Sequence, residues 1–163
     1  MKIHHPIYKL NILPYQEKDR DGFVDIFMDE ELCQHMAGGA FEKEKDAKNL
    51  FNHLLKLNKY KETISNSYGV FYEENLIGHF EINQNNFTKI DELEIVYLLI
   101  KAYWGKGIMK SLIKHFQDSF KQKLIARVNP NNFNSIKMLE KLGIEKQTLA
   151  KFNNANVLKI MLK

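Results

Sequence analysis

The stretch Glu92-Leu93-Glu94-Ile95-Val96-Tyr97-Leu98-Leu99-Ile100, with Tyr103-Trp104-Gly105-Lys106-Gly107-Ile108-Met109 close behind it, decides the architecture of this chain. Its first part is rich in β-branched, aromatic and leucine side chains and predicts the strongest strand in the sequence. From Gly107 to Phe120, helical spacing puts Ile108, Leu112, Ile113, Phe116 and Phe120 on one face. Leu124 to Val128 then predicts a short strand. Strand, helix and strand in this order predict a right-handed crossover with parallel strands over 92–128.

Working outward, Tyr68 to Tyr72 and Leu76 to Ile82 are two short apolar runs joined by the turn Glu73-Glu74-Asn75, which predicts a hairpin. The asparagine-rich segment 83–91 reads as a loop. Further upstream, residues 7–13 alternate, with Tyr8, Leu10 and Ile12 on one face of a first strand. Asp19 to Met28 predicts a helix, Gly38-Gly39 a break, and Glu42 to Lys61 a longer helix with a broad apolar stripe. Downstream, Asn132 to Leu142 predicts a helix stopped by Gly143, and 144–162 two strands around Asn153-Asn154. The expected fold is a single α/β domain, residues 1–163, with a mixed central sheet and helices on both faces.

The composition fits one soluble domain. Of 163 residues 44% are apolar, and 24 basic side chains stand against 20 acidic ones. That excess favours an anionic ligand mildly. Despite a pI of about 9.0, the lysines are spread along the chain rather than clustered with stacking aromatics, which argues against nucleic acid. A single cysteine, Cys33, cannot make an internal disulfide and suits a reducing compartment. Without a signal-like start or a run of 18 apolar residues, a cytoplasmic protein free of the membrane is expected, as monomer or homodimer. No histidine has metal-ligand spacing, so no metal is expected.

The chemistry concentrates at 103–110. Gly105 and Gly107 free the backbone for a tight turn and let a ligand come close. The helix behind them offers unpaired N–H groups and a positive dipole end, which together bind phosphate. Gly-x-Gly alone serves equally as a plain turn. A second segment leaves the next strand and opens a helix, Asn129-Pro130-Asn131-Asn132-Phe133-Asn134-Ser135, with Leu139-Glu140-Lys141-Leu142-Gly143-Ile144 at its end. Asn132 and Ser135 there also suit helix capping.

The two segments in this order resemble the GNAT superfamily of acetyl-CoA-dependent N-acetyltransferases, over 65–145 closely and 7–60 loosely. Tyr103 to Gly107 is most similar to the branch that acetylates the N-terminal alanine of ribosomal proteins. The family's pyrophosphate loop falls on Trp104 to Met109, its Asn-x-x-Ser on Asn132 and Ser135, and its closing motif on Glu140 to Ile144. The resemblance implies an acetyl-CoA donor and a small-molecule or peptide amine as acceptor. It implies a pyrophosphate held by backbone N–H groups of Gly105, Lys106, Gly107, Ile108, Met109 and Lys110, and pantetheine along the backbones of Tyr97, Leu98 and Leu99. It also gives Asn132 to the cofactor, and Ser135 as proton donor to the leaving thiolate, with helix capping as the alternative.

Three positions depart from the family pattern. Trp104 stands where Gln or Arg is usual, Met109 where a small residue is wanted, and Leu139 where many members carry a tyrosine as general acid. For the base, Glu94 alternates with Leu93 and Ile95 on the strand beside the expected thioester, although a solvated strand end explains it as well. His79 and Glu81, on the neighbouring strand, are read as lying on opposite faces of it. A non-catalytic module that senses acyl-CoA is the rival reading, favoured by Met109 and Leu139.

Overall fold

The computed structural model describes residues 2–3, 9–57, 66–153 and 155–162. Chain order runs β1 (Lys2–Ile3), β2 (Leu10–Pro14), α1 (Arg20–Met28), α2 (Glu30–Cys33), α3 (Glu44–Leu57), β3 (Asn66–Tyr72) and β4 (Asn75–Asn83). It continues with β5 (Glu92–Leu99), α4 (Ile108–Ser119), β6 (Lys123–Val128), α5 (Phe133–Glu140), β7 (Ile144–Phe152) and β8 (Ala155–Leu162). The eight strands form one sheet in the order β1-β2-β3-β4-β5-β6-β8-β7. All pairings are antiparallel except β5 with β6, which the α4 crossover makes parallel.

Two apolar clusters fix the helices to the sheet. Leu93, Ile95 and Leu99 of β5 pack with Ile108, Met109, Leu112, Ile113 and Phe116 of α4 and with Leu139 of α5 on one face. On the other face, Leu98 meets Tyr15, Phe23, Ile26, Phe27, Phe51 and Leu54 beneath α1 and α3. Buried on both sides, β5 carries almost no polar residue except at its start, which is why it reads as a continuous apolar run.

The sequence expectations hold in outline, with corrections at element ends. The first strand is Leu10–Pro14, and Ile7 and Tyr8 lie outside the described residues. The long helix begins at Glu44 rather than Glu42 and is described to Leu57; its expected end at Lys61 lies outside those residues. Glu73 takes φ 55 in the β3–β4 turn, and Gly143 takes φ 92 after α5. The four-residue α2 was not expected from the sequence.

Candidate active site

β5 and β6 pair over only three rungs, Glu92↔Lys123, Leu93↔Leu124 and Glu94↔Ile125. Beyond them the strands part, while β4 stays paired with β5 as far as Gly78↔Leu99. A Cβ on Gly78 would lie 2.4 Å from the Leu98 carbonyl oxygen, so only glycine allows β4 this close. The parting leaves a gap at the carboxyl ends of two parallel strands, a common place for ligands in α/β sheets.

The lining of that gap follows from backbone alternation. Ile100 N–H donates to the Ile77 carbonyl on the β4 side at 2.9 Å. Backbone groups alternate in direction along a strand, so those of Leu98 also face β4, whereas those of Tyr97 and Leu99 face the gap. The Leu99 carbonyl accepts the indole N–H of Trp104, which folds the loop back onto the strand end. Thus Trp104 has a turn-locking role.

The loop then opens α4. Gly105 and Gly107 take φ 70 and 77, left-handed values that side chains disfavour. Gly107 is the N-cap residue, and no side chain caps this helix. Its first-turn N–H groups therefore remain available to an anion. Lys106 and Lys110 are exposed around it, with the Lys106 ammonium 5.2 Å from the centre of the Tyr103 ring. Met109 turns inward and is buried in the core beside Ile108, so its bulk does not crowd the loop. α5 starts differently: the Asn132 side chain accepts the Ser135 N–H at 3.1 Å, so this helix caps itself.

Across the gap, the phenol of Tyr97 meets the Ser135 hydroxyl at 2.6 Å, linking β5 to the first turn of α5. Burial pushes the Tyr97 phenol up to about 12, against the opposing pull of the Ser135 hydrogen bond. It stays protonated at neutral pH. Leu139 is fully buried and has no part in proton transfer.

The opposite face of the same strands carries polar groups beside the apolar cluster around Leu98. Glu94 shares it with Val96 and Leu98, as the alternation predicts. Its Oε2 accepts Asn85 Nδ2 at 2.8 Å and pairs with the Arg127 guanidinium, and both side chains are only 8% exposed. Neither bond uses Oε1. Arg127 also donates to the Phe87 carbonyl at 2.6 Å and lies over the rings of Phe87 and Phe152. The expectation that His79 and Glu81 face opposite ways is wrong. Residues two apart on a strand share a face, and His79 Nε2 lies 2.8 Å from Glu81 Oε1. His79 Nδ1 in turn meets the Tyr15 hydroxyl at 2.6 Å. Among the described residues no group of His, Cys, Asp and Glu could hold a metal ion, and no helix is long and apolar enough to cross a membrane.

The fold has counterparts among known proteins. The acetyltransferase (GNAT) domain family matches residues 9–145. The probable N-acetyltransferase YjcK of Bacillus subtilis (strain 168) is 28% identical over 148 residues, 86% of this chain and 77% of that one. The structure of ribosomal-protein-S5-alanine acetyltransferase from Vibrio fischeri is similar with a TM-score of 0.70 at 20% identity, over 99% of this chain and 94% of that one. AAC(6')-Ib in complex with ribostamycin and coenzyme A has a TM-score of 0.75 at 15% identity, over 94% and 92%. These two structures share the fold. A match that runs from Lys9, just before β2, through the gap, both helix starts and the close of α5 is decisive, and the chain belongs to the GNAT family of N-acetyltransferases.

Proposed function

We propose that the chain moves an acetyl group from acetyl-CoA to a primary amine, on a protein N-terminus or a small molecule, by direct attack. The observation that carries this reading is the uncapped start of α4 beside the gap between β5 and β6. Loop N–H groups from Gly105 to Lys110 hold the pyrophosphate, and the exposed Lys106 and Lys110 add charge. The gap-facing N–H of Tyr97 or Leu99 donates to the thioester carbonyl and stabilises the charge that develops there. Leu98, whose backbone faces β4, contributes its side chain to the core instead.

The amine arrives as an ammonium and must lose a proton before it attacks. Glu94 accepts that proton through Oε1, the oxygen that its pairing with Arg127 and Asn85 leaves over. Ser135 donates its hydroxyl hydrogen toward the leaving sulfur, and the Tyr97 phenol supports it from behind. A thiolate with a pKa near 8.5 is a tolerable leaving group near neutrality, so this donor need not be strongly acidic. Amide, free thiol and one net proton result.

The test is to incubate the protein with acetyl-CoA and a panel of alanine-starting peptides, amino acids, spermidine and kanamycin. Release of free thiol with an acetylated product by mass is expected for at least one. Tight coenzyme A binding without thiol release from any of them would favour a sensing module.

Two substitutions separate the roles. Asn132→Ala removes the α5 cap, at a cost of about 1 kcal/mol. It should also raise the apparent KM for acetyl-CoA roughly fivefold, as loss of one hydrogen bond would. An unchanged KM beside a lowered Tm would leave Asn132 as a cap alone. Tyr97→Phe keeps the ring but loses the bond to Ser135. It should lower kcat about tenfold, with the KM for acetyl-CoA unchanged. Parental kcat in Tyr97→Phe would remove the phenol from the reaction.

A further inference from the structure

Three carboxylates, Glu81, Glu92 and Glu94, lie on the face of the sheet away from α4. Two already have a cation: Glu92 takes the Lys159 ammonium at 2.7 Å, and Glu94 takes Arg127. Glu81 is different. Its partners among the described residues are His79 at Oε1, Asn83 Nδ2 at Oε2 at 2.8 Å, and Ser67. Its register places it directly opposite Val96 on β5, two residues past the last β5–β6 rung. Facing side chains in such a pair start about 5 Å apart. Glu81 therefore rises at the mouth of the gap, on the face away from α4, and its side chain is 21% exposed.

Beneath it the support is rigid. His79 is 1% exposed and lies among the rings of Tyr15, Phe23 and Phe27. The Tyr15 phenol, itself buried, is pushed well above its ordinary pKa by burial and by the charges of Glu81 and Asp19, so it keeps its proton. The arrangement that satisfies every partner has Tyr15 O–H donating to His79 Nδ1 and His79 Nε2–H donating to Glu81. Two buried side chains from β2's end and β4 thus aim one carboxylate outward.

We propose that Glu81 is the anchor for the positively charged amino group of the acceptor, with Tyr15 and His79 as its positioning residues. This rests on the acetyl-transfer reading above and narrows it: the acceptor docks as a cation, and proton removal belongs to a different group. The state of Glu81 suits an anchor better than a base. Burial pushes its pKa up, but the hydrogen bond and the electrostatic pull of His79, with hydrogen bonds from Asn83 and Ser67, outweigh that and hold it below the usual carboxylate range. At neutral pH it is charged together with the amine, and it accepts a proton reluctantly.

The test compares two acceptors of one skeleton: the best amine from the thiol-release panel and the corresponding hydrazide, which is uncharged near neutrality. Glu81→Gln keeps the size and accepts the His79 hydrogen bond but carries no charge. It should raise the KM of the amine about tenfold, the loss of a charge-assisted contact, while the KM of the hydrazide and of acetyl-CoA and the kcat at saturating amine stay within about twofold. Tyr15→Phe should shift the amine KM in the same direction by less. Equal KM shifts for amine and hydrazide, an unchanged amine KM, or a loss confined to kcat would each overturn the anchor. If the parent protein acetylates no amine, the transfer reading falls and the anchor with it; if the parent is active and only the KM pattern fails, the anchor alone falls.

Discussion

Gly107→Val should weaken coenzyme A binding at least about a hundredfold by calorimetry, while the protein stays folded. Gly107 sits at φ 77 as the N-cap of α4, a conformation that a β-branched residue enters only with strain of about 1–3 kcal/mol. Relief of that strain turns the first-turn N–H groups away from their common target. Each hydrogen bond to a charged group contributes about 1.5–3 kcal/mol, so losing two costs roughly 3 kcal/mol or more, the hundredfold expected. Ile108, Leu112 and Phe116 anchor the helix from below and are not touched by the change, so circular dichroism should show a native fold with a modestly lower Tm. Unchanged coenzyme A affinity would place the pyrophosphate elsewhere.

The second large effect concerns Glu94 and Arg127. Both side chains are 8% exposed, and removing one partner of a buried pair costs about 3–5 kcal/mol because it strands the other charge. Glu94→Gln should therefore lower the Tm by on the order of 10 °C. If Glu94 also takes the amine's proton, turnover should fall about a hundredfold. The two effects part in the double variant Glu94→Gln with Arg127→Met, in which no charge is stranded. It should recover more than half of the lost stability and none of the lost turnover. Recovery of turnover together with stability would make Glu94 part of the scaffold, and proton removal would pass to water.

What the sequence made legible was whatever repeats at a local period. The alternation and apolar run of 92–100 and the helical spacing of 108–116 located β5 and α4 within a residue or two, and with them the gap and the open helix start. The four residues of α2 are too few for any period to show. The contacts that give the site its chemistry are long-range. Tyr97 and Ser135 stand 38 residues apart, and Tyr15 and His79 stand 64 apart, so no spacing rule brings them together. The link between His79 and Glu81 was within reach of the period-2 rule and was misread. The pairing of Glu94 with Arg127 lay between them: parallel strands in register put both on one face, but only side-chain geometry shows that they meet.

The three-rung pairing of β5 and β6 has a consequence for how the molecule responds to its own substrate. On the gap side of Glu94↔Ile125, the two parts of the sheet, β1 to β5 and β6-β8-β7, share no ladder, and the apolar core under α4 keeps them together. An extended chain lying in the gap and bonding to the backbones of Tyr97 and Leu99 would act as a missing strand. Donor binding would then knit a divided sheet into a continuous one. The amide hydrogens of Tyr97 and Leu99, which face an unpaired edge, would exchange with solvent more slowly once coenzyme A is added. The whole fold would also melt later in proportion to the logarithm of cofactor concentration, so that thermal stability would report on how fully the enzyme is loaded.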